Sequence, residues 1–147
     1  VSGDFLAQRA GVGIAPVVPA EASRRLAALA RAHHFTLWET FMTDLAGHGR
    51  WGWTAAEALS RLDGLLSGLL PACGIGGGDL TVLLTSDHGN LEEASHRRHT
   101  RNPVPLLAVG PLAPHFAGLT ALDQVTPAIL AALASGLAAG SAGDRPT

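Results

Sequence analysis

Lysine is missing from the 147-residue chain, so arginine supplies all ten basic side chains. Twelve carboxylates leave a formal net charge of −2 at pH 7. Because this balance gives no positive field to attract nucleic acids or anionic membranes, we expect neither as a partner. Charged residues make up only 15% of the sequence and apolar residues 47%, which excludes an intrinsically disordered chain.

Cysteine and long apolar runs are also scarce. The single cysteine, Cys73, cannot form an intramolecular disulfide, so the fold needs no oxidising compartment and a cytoplasmic location is expected. No stretch reaches the ~18 apolar residues of a membrane-spanning helix. Residues 1–4 lack the basic-then-apolar plan of a secretory signal. The length fits one domain of roughly 150 residues.

Glycine and proline suggest how this domain is divided. Residues 1–18 follow neither a helical nor a strand period and are predicted to form an irregular leader. Residues 19–138 are predicted to form an α/β domain, with a flexible link at 74–78, and residues 139–147 a flexible tail. The chain begins with valine and enters directly into the leader, so we expect that its true start lies upstream or was misassigned.

Hydrophobic periodicity predicts three helices and three strands. Helical spacing covers residues 19–32, 54–71 and 122–137, and Thr54 with Glu57 matches a capping box. Strand patterns cover residues 35–41, 80–85 and 104–109. This alternation predicts an α/β fold with a mainly parallel sheet and helices on both of its faces.

Five side chains that can bind a divalent cation follow the predicted strands: Asp44, His48, Asp87, His88 and His99. Ligands of open α/β sheets bind outside the carboxyl ends of the strands, and nitrogen and oxygen donors suit zinc or manganese. Asp44 and His48 are four residues apart, so one helical turn or a tight loop would direct both to a common point. The alternative is structural: aspartates that cap turns, and histidines bonded to backbone.

Three sequence elements resemble the metal-binding end of the alkaline phosphatase superfamily, most closely the branch of cofactor-independent phosphoglycerate mutase and phosphopentomutase. These are Asp-Leu-Ala-Gly-His at residues 44–48, Ser-Asp-His-Gly-Asn at 86–90, and His-Thr-Arg-Asn-Pro-Val-Pro at 99–105. The resemblance implies an alkaline phosphatase-like fold, present here as a partial domain. It also implies two divalent metal ions, manganese or zinc with magnesium possible, that act on a small phosphorylated substrate.

The resemblance also implies a division of the ligands. Asp44, His48 and His99 would hold one ion, and Asp87 with His88 would hold the second. The family completes the second site with an aspartate and a nucleophilic serine or threonine from its N-terminal part, and no residue of this chain matches either one. The sequence therefore predicts the C-terminal half of a larger phosphomutase or phosphatase domain, whose missing N-terminal part is the expected partner.

Two other functions remain open at this stage. The chain fits a truncated, non-catalytic remnant or interaction module that binds at most one ion, and it fits a stand-alone zinc hydrolase that uses Asp44, His48 and His99. Arginines near His99, at positions 97, 98 and 101, are weighed as phosphate contacts against an ordinary solvated basic loop.

Overall fold

The computed structural model describes residues 11, 13, 15, 17–73 and 78–143, with side chains described as far as residue 137. Most of the predicted leader, residues 74–77 of the predicted link and residues 144–147 of the predicted tail lie outside the described residues.

Four α-helices occur in the described ranges: α1 (Pro19–Arg31), α2 (Met42–Gly47), α3 (Ala55–Leu69) and α4 (Val125–Gly143). The predicted capping box is confirmed, since Thr54 Oγ1 accepts from the Glu57 amide at 3.2 Å and the Thr54 amide donates to the Glu57 carboxylate at 3.0 Å. Short 3₁₀ turns occupy Leu70–Cys73, Ala113–Phe116 and Leu122–Gln124, the last of which leads into α4. Within the described chain, no helix combines the length and apolar character that crossing a membrane requires.

The described sheet has two strands, β1 (Val82–Thr85) and β2 (Leu106–Val109). They run antiparallel, with Val82 opposite Val109 and Thr85 opposite Leu106. The parallel sheet predicted from the sequence is therefore wrong for this pair. No helix crosses over between the two strands; the chain returns through the loop 86–105, where an antiparallel bridge joins Gly89 to Thr100 and continues the same direction of pairing.

Residues 35–41 have no regular secondary structure and do not form the predicted strand. Their apolar side chains stay exposed, with relative exposures of 52% for Phe35, 80% for Leu37 and 48% for Phe41. A strand requires a neighbour that accepts and donates backbone hydrogen bonds, and within the described residues no other segment pairs with this one. The alternation of residues 35–41 is typical of a strand, but a sequence pattern carries no information about which segment would pair with it.

Helices cover both faces of the small sheet, as the sequence predicts. On one face, Val82 and Leu80 pack against the buried cluster of Ala27 from α1 and Leu65 and Leu69 from α3. On the other face, Leu83 and Ala108 pack against a second cluster, which comprises Phe116 and the α4 residues Ala128 and Ala132. Alternate residues of β1 thus enter opposite cores, which is the expected behaviour of a strand buried on both sides.

Small residues let α1 and α3 approach closely. Ser23 of α1 is fully buried, and its hydroxyl lies 2.8 Å from both the Pro19 and Leu65 carbonyl oxygens. A side chain at Gly68 of α3 would collide with Ser23. This packing places the loop between the two helices, which contains α2, at the carboxyl end of β1.

Candidate metal centre

One short helix positions the first two candidate ligands. Asp44 lies in the first turn of α2, where the helix dipole favours a carboxylate, and His48 follows the last helical residue. The His48 amide donates to the Asp44 carbonyl at 2.9 Å, so the two residues are one helical turn apart on the same face. As the spacing predicts, their side chains meet: His48 Nε2 lies 3.3 Å from Asp44 Oδ1.

A Schellman motif ends this helix directly after His48. The Gly49 amide donates to the Ala46 carbonyl at 2.9 Å, and the Arg50 amide donates to the Leu45 carbonyl at 2.8 Å. Gly49 has a φ of +61°, a left-handed conformation that glycine adopts without the steric cost of a Cβ atom. The motif fixes the direction in which His48 leaves the helix.

The loop after β1 brings the remaining histidines to the same place. Ser86 Oγ donates to the His88 carbonyl at 2.9 Å, which tightens the turn that contains Asp87. The Thr100 amide donates to the Gly89 carbonyl at 2.8 Å. This bridge puts His99 beside His88, and their imidazole rings stack with centroids 3.6 Å apart and planes inclined by 16°.

Three of the candidate ligands form a compact triangle. Asp44 Oδ1 lies 3.3 Å from both His48 Nε2 and His99 Nε2, and the two histidine nitrogens are 3.0 Å apart. Ligand atoms ~2.0–2.1 Å from a tetrahedral zinc ion are about 3.3–3.4 Å from one another. The three donors therefore already have nearly the mutual spacing that one tetrahedral ion requires, and these residues fit a metal.

Backbone contacts prepare His48 for this role. Its Nδ1 lies 2.8 Å from the Arg97 carbonyl oxygen, which can only accept a hydrogen bond. Nδ1 must therefore carry the proton, and the lone pair of the neutral ring lies on Nε2, which faces Asp44 and His99. A histidine whose second nitrogen donates to a carbonyl is the usual arrangement of a metal ligand.

His88 lies at the edge of the triangle and creates an alternative set of ligands. Its Nε2 is 3.8 Å from Asp44 Oδ1, and donor atoms of Asp44, His88 and His99 all fall within 4.8 Å of one another. Asp87 is the most peripheral of the five candidates, since its side chain is 83% exposed and its Oδ1 lies 3.6 Å from His88 Nε2. The described residues thus bring four candidates together and leave Asp87 on the rim.

Asn90 is a site residue that the sequence analysis did not assign. It is only 5% exposed, and its Nδ2 donates to the Asp44 carboxylate at 3.0 Å and to the Asp44 carbonyl at 3.3 Å. Both of these atoms are acceptors, which identifies the amide nitrogen as the group that faces them. Asn90 packs so closely on Gly47 that a Cβ atom there would collide with the amide. The contact orients Asp44 from behind.

Glu92 organises the loop that bears His99, another role that the sequence left unassigned. Its carboxylate accepts from Thr100 Oγ1, from the backbone amide of Asn90 at 2.7 Å and from Asn102 Nδ2 at 3.1 Å. These hydrogen bonds, the one from Thr100 foremost, lower the pKa of Glu92 from 4.5 to about 2. One ionised carboxylate therefore joins the residues that follow His88 to those that follow His99.

Fold and geometry together define a candidate histidine–carboxylate metal site beside the small sheet. The family model of the metalloenzyme superfamily matches residues 20–135, and the chain belongs to that superfamily. The resemblance that the sequence elements suggested is confirmed.

Curated relatives agree with this family. The chain is 36% identical over 95 residues to 2,3-bisphosphoglycerate-independent phosphoglycerate mutase of Chromobacterium violaceum, an alignment that covers 60% of this chain and 18% of the relative. It is 35% identical over 94 residues to the enzyme of the same name from Coxiella burnetii, covering 59% of this chain and 18% of the relative. The chain thus spans about a fifth of the length of these relatives. No solved structure matches the chain.

Proposed function

We propose that this chain provides metal ligands to a phosphoryl-transfer enzyme of the phosphomutase or phosphatase type, acting on a small phosphorylated substrate. One observation carries the proposal: Asp44, His48 and His99 present three donor atoms 3.0–3.3 Å apart. The membership of the chain in the metalloenzyme superfamily and its similarity to phosphoglycerate mutases favour phosphate chemistry over other uses of such a centre.

In this proposal Asp44, His48 and His99 hold the first ion, and Asp87 with His88 provide part of a second site. Divalent ions in such a centre, manganese or zinc with magnesium possible, neutralise charge on the phosphoryl group and acidify a bound hydroxyl. The chain itself supplies the positioning. The Arg97 carbonyl accepts from His48 Nδ1, which leaves the Nε2 lone pair of the neutral ring facing Asp44 and His99, and Asn90 holds the Asp44 carboxylate in place.

The nucleophile and the remaining ligands of the second ion come, in this proposal, from a further part of the same enzyme. Two observations support it. The relatives are about five times as long as the segment aligned here. Segment 35–41 also exposes apolar side chains just before α2, and within the described chain the Thr36 hydroxyl is buried without a hydrogen-bond partner. A further part of the enzyme packed against this segment would cover the apolar side chains and give the hydroxyl a partner.

Metal analysis of purified variants tests the assignment of ligands. We expect Asp44→Ala and His48→Ala to abolish tight binding of zinc or manganese, because each removes a corner of the triangle. His88→Ala should change the stoichiometry little, since Asp87 and His88 alone are too few ligands for a firmly held ion. Equal metal retention in all variants would contradict the proposal. Loss of the ion in His88→Ala with retention in His48→Ala would instead identify Asp44, His88 and His99 as the ligands.

A second candidate, a stand-alone zinc hydrolase, is favoured by the same three-ligand geometry, which leaves a coordination position open for water. Turnover of an aryl phosphate by the chain alone, abolished in His99→Ala, would support this candidate. We expect no such turnover, because the chain has no residue that matches the nucleophile of the family.

A further inference from the structure

Arg97 is linked to the metal centre through both its backbone and its side chain. Its carbonyl oxygen accepts from His48 Nδ1 at 2.8 Å. Its guanidinium lies directly over Gly49, so closely that a Cβ atom at Gly49 would come within 2.7 Å of Arg97 Cζ and 3.0 Å of Nε and Nη1. Gly49 follows His48 in the chain, and the guanidinium therefore lies against the backbone that carries a candidate ligand.

No acidic side chain among the described residues forms an ion pair with this guanidinium, whereas Arg25 and Arg31 pair with Glu21 and Asp79. The nearby carboxylates are engaged elsewhere. Asp44 accepts from Asn90 and faces the histidines, and Glu92 accepts from Thr100, Asn90 and Asn102. A divalent ion in the triangle would add a second positive charge at His48, whose ring contacts the Arg97 carbonyl.

A cation held by His48 and a guanidinium fork against the next residue, Gly49, suit one class of ligand, a tetrahedral oxyanion. Arginine binds phosphate oxygens in pairs through its planar fork, and a metal ion takes another oxygen of the same group. The missing Cβ of Gly49 leaves room for the fork against the backbone that follows His48, because any side chain there would displace it.

We propose that Arg97 binds the phosphate group of the substrate and, together with the ion of the Asp44–His48–His99 triangle, fixes its orientation. This inference rests on the proposed function and deepens it by naming a substrate-contacting residue. Arg98 provides a matched control, because it is exposed, neighbours Arg97 and uses its backbone amide on His96 Nδ1. Nothing in the described structure places the Arg98 side chain at the centre.

Calorimetric titration of the metal-loaded full chain with inorganic phosphate tests the proposal, with the metal content of every sample measured in parallel. Removing a bidentate, charge-assisted contact in Arg97→Ala should weaken phosphate binding about 10- to 100-fold at unchanged metal content. Arg97→Lys should bind with intermediate affinity, because it keeps the charge without the fork. Arg98→Ala should stay within about twofold of the wild type, a change of ~0.4 kcal/mol.

Unchanged phosphate affinity in Arg97→Ala, or an equal loss in Arg98→Ala, would overturn the role of Arg97 and leave the proposed function standing. A wild-type chain that binds no metal would instead refute the proposed function, and the inference about Arg97 would fail with it. Circular dichroism of the three variants checks that each is folded.

Discussion

Asn90 offers the sharpest test of how the protein prepares its metal centre. Asn90→Ala removes both hydrogen bonds to Asp44, at 3.0 Å to Oδ1 and 3.3 Å to the backbone oxygen, while Asp44 and the three histidines that cluster around it stay in the chain. The side chain of Asp44 is 31% exposed, so water replaces the lost donor only in part. Changing the partner of a metal ligand costs about 10–100-fold in affinity, or ~1.4–2.8 kcal/mol.

The same range follows from the hydrogen bond itself, since a hydrogen bond to a charged group contributes ~1.5–3 kcal/mol. Competition for zinc against a chromophoric chelator measures the effect. Asn102→Ala serves as the control, because Asn102 donates to Glu92 and not to Asp44, and we expect it to change zinc affinity less than about threefold. Zinc affinity in Asn90→Ala within twofold of the wild type would refute the idea that Asn90 positions Asp44.

Four further predictions concern stability. Gly68→Ala should destabilise the fold by about 1–3 kcal/mol in urea unfolding, because the new methyl group would collide with Ser23. Gly136→Ala should instead stabilise α4 by about 0.5–1 kcal/mol, because its Cβ would meet only Leu112, at 3.7 Å. Thr54→Ala should cost about 1 kcal/mol through loss of the capping box, and an unchanged urea midpoint would contradict that role. The ionised form of Glu92 is favoured in the fold, so its contribution is present above pH 4.5 and is lost as the pH falls towards 2. The difference in unfolding free energy between the wild type and Glu92→Gln should therefore narrow over that pH range. A constant difference would argue against the role of the Glu92 carboxylate in holding the loop that bears His99.

Local chemistry explains which elements could be predicted from the sequence. The capping box of α3 and the turn that joins Asp44 to His48 depend on residues within four positions of each other, and both occur as predicted. Alternating apolar residues made 35–41 look like a strand, but strand formation needs a second segment to pair with. The direction of β2 relative to β1 likewise depends on the path of the loop 86–105.

The supporting residues of the centre could not be predicted for the same reason. Asn90 reaches Asp44 across 46 positions of sequence, and the Arg97 carbonyl reaches His48 across 49. Contacts of this kind have no period in the sequence, and backbone carbonyls are present at every residue. The candidate ligands themselves were visible because they fall in short motifs, Asp-Leu-Ala-Gly-His, Asp-His-Gly-Asn and His-Thr, that resemble those of a known family.

The convergence of Asp44, His48 and His99 on one cation is the central claim, and X-ray absorption spectroscopy of the zinc-loaded chain tests it most directly. We expect nitrogen and oxygen atoms at about 2.0–2.1 Å from the zinc ion. The spectrum should show the multiple-scattering signature of two imidazoles in the wild type and of one in His99→Ala. A shell that contains sulfur, or a spectrum that is the same in His99→Ala as in the wild type, would contradict it.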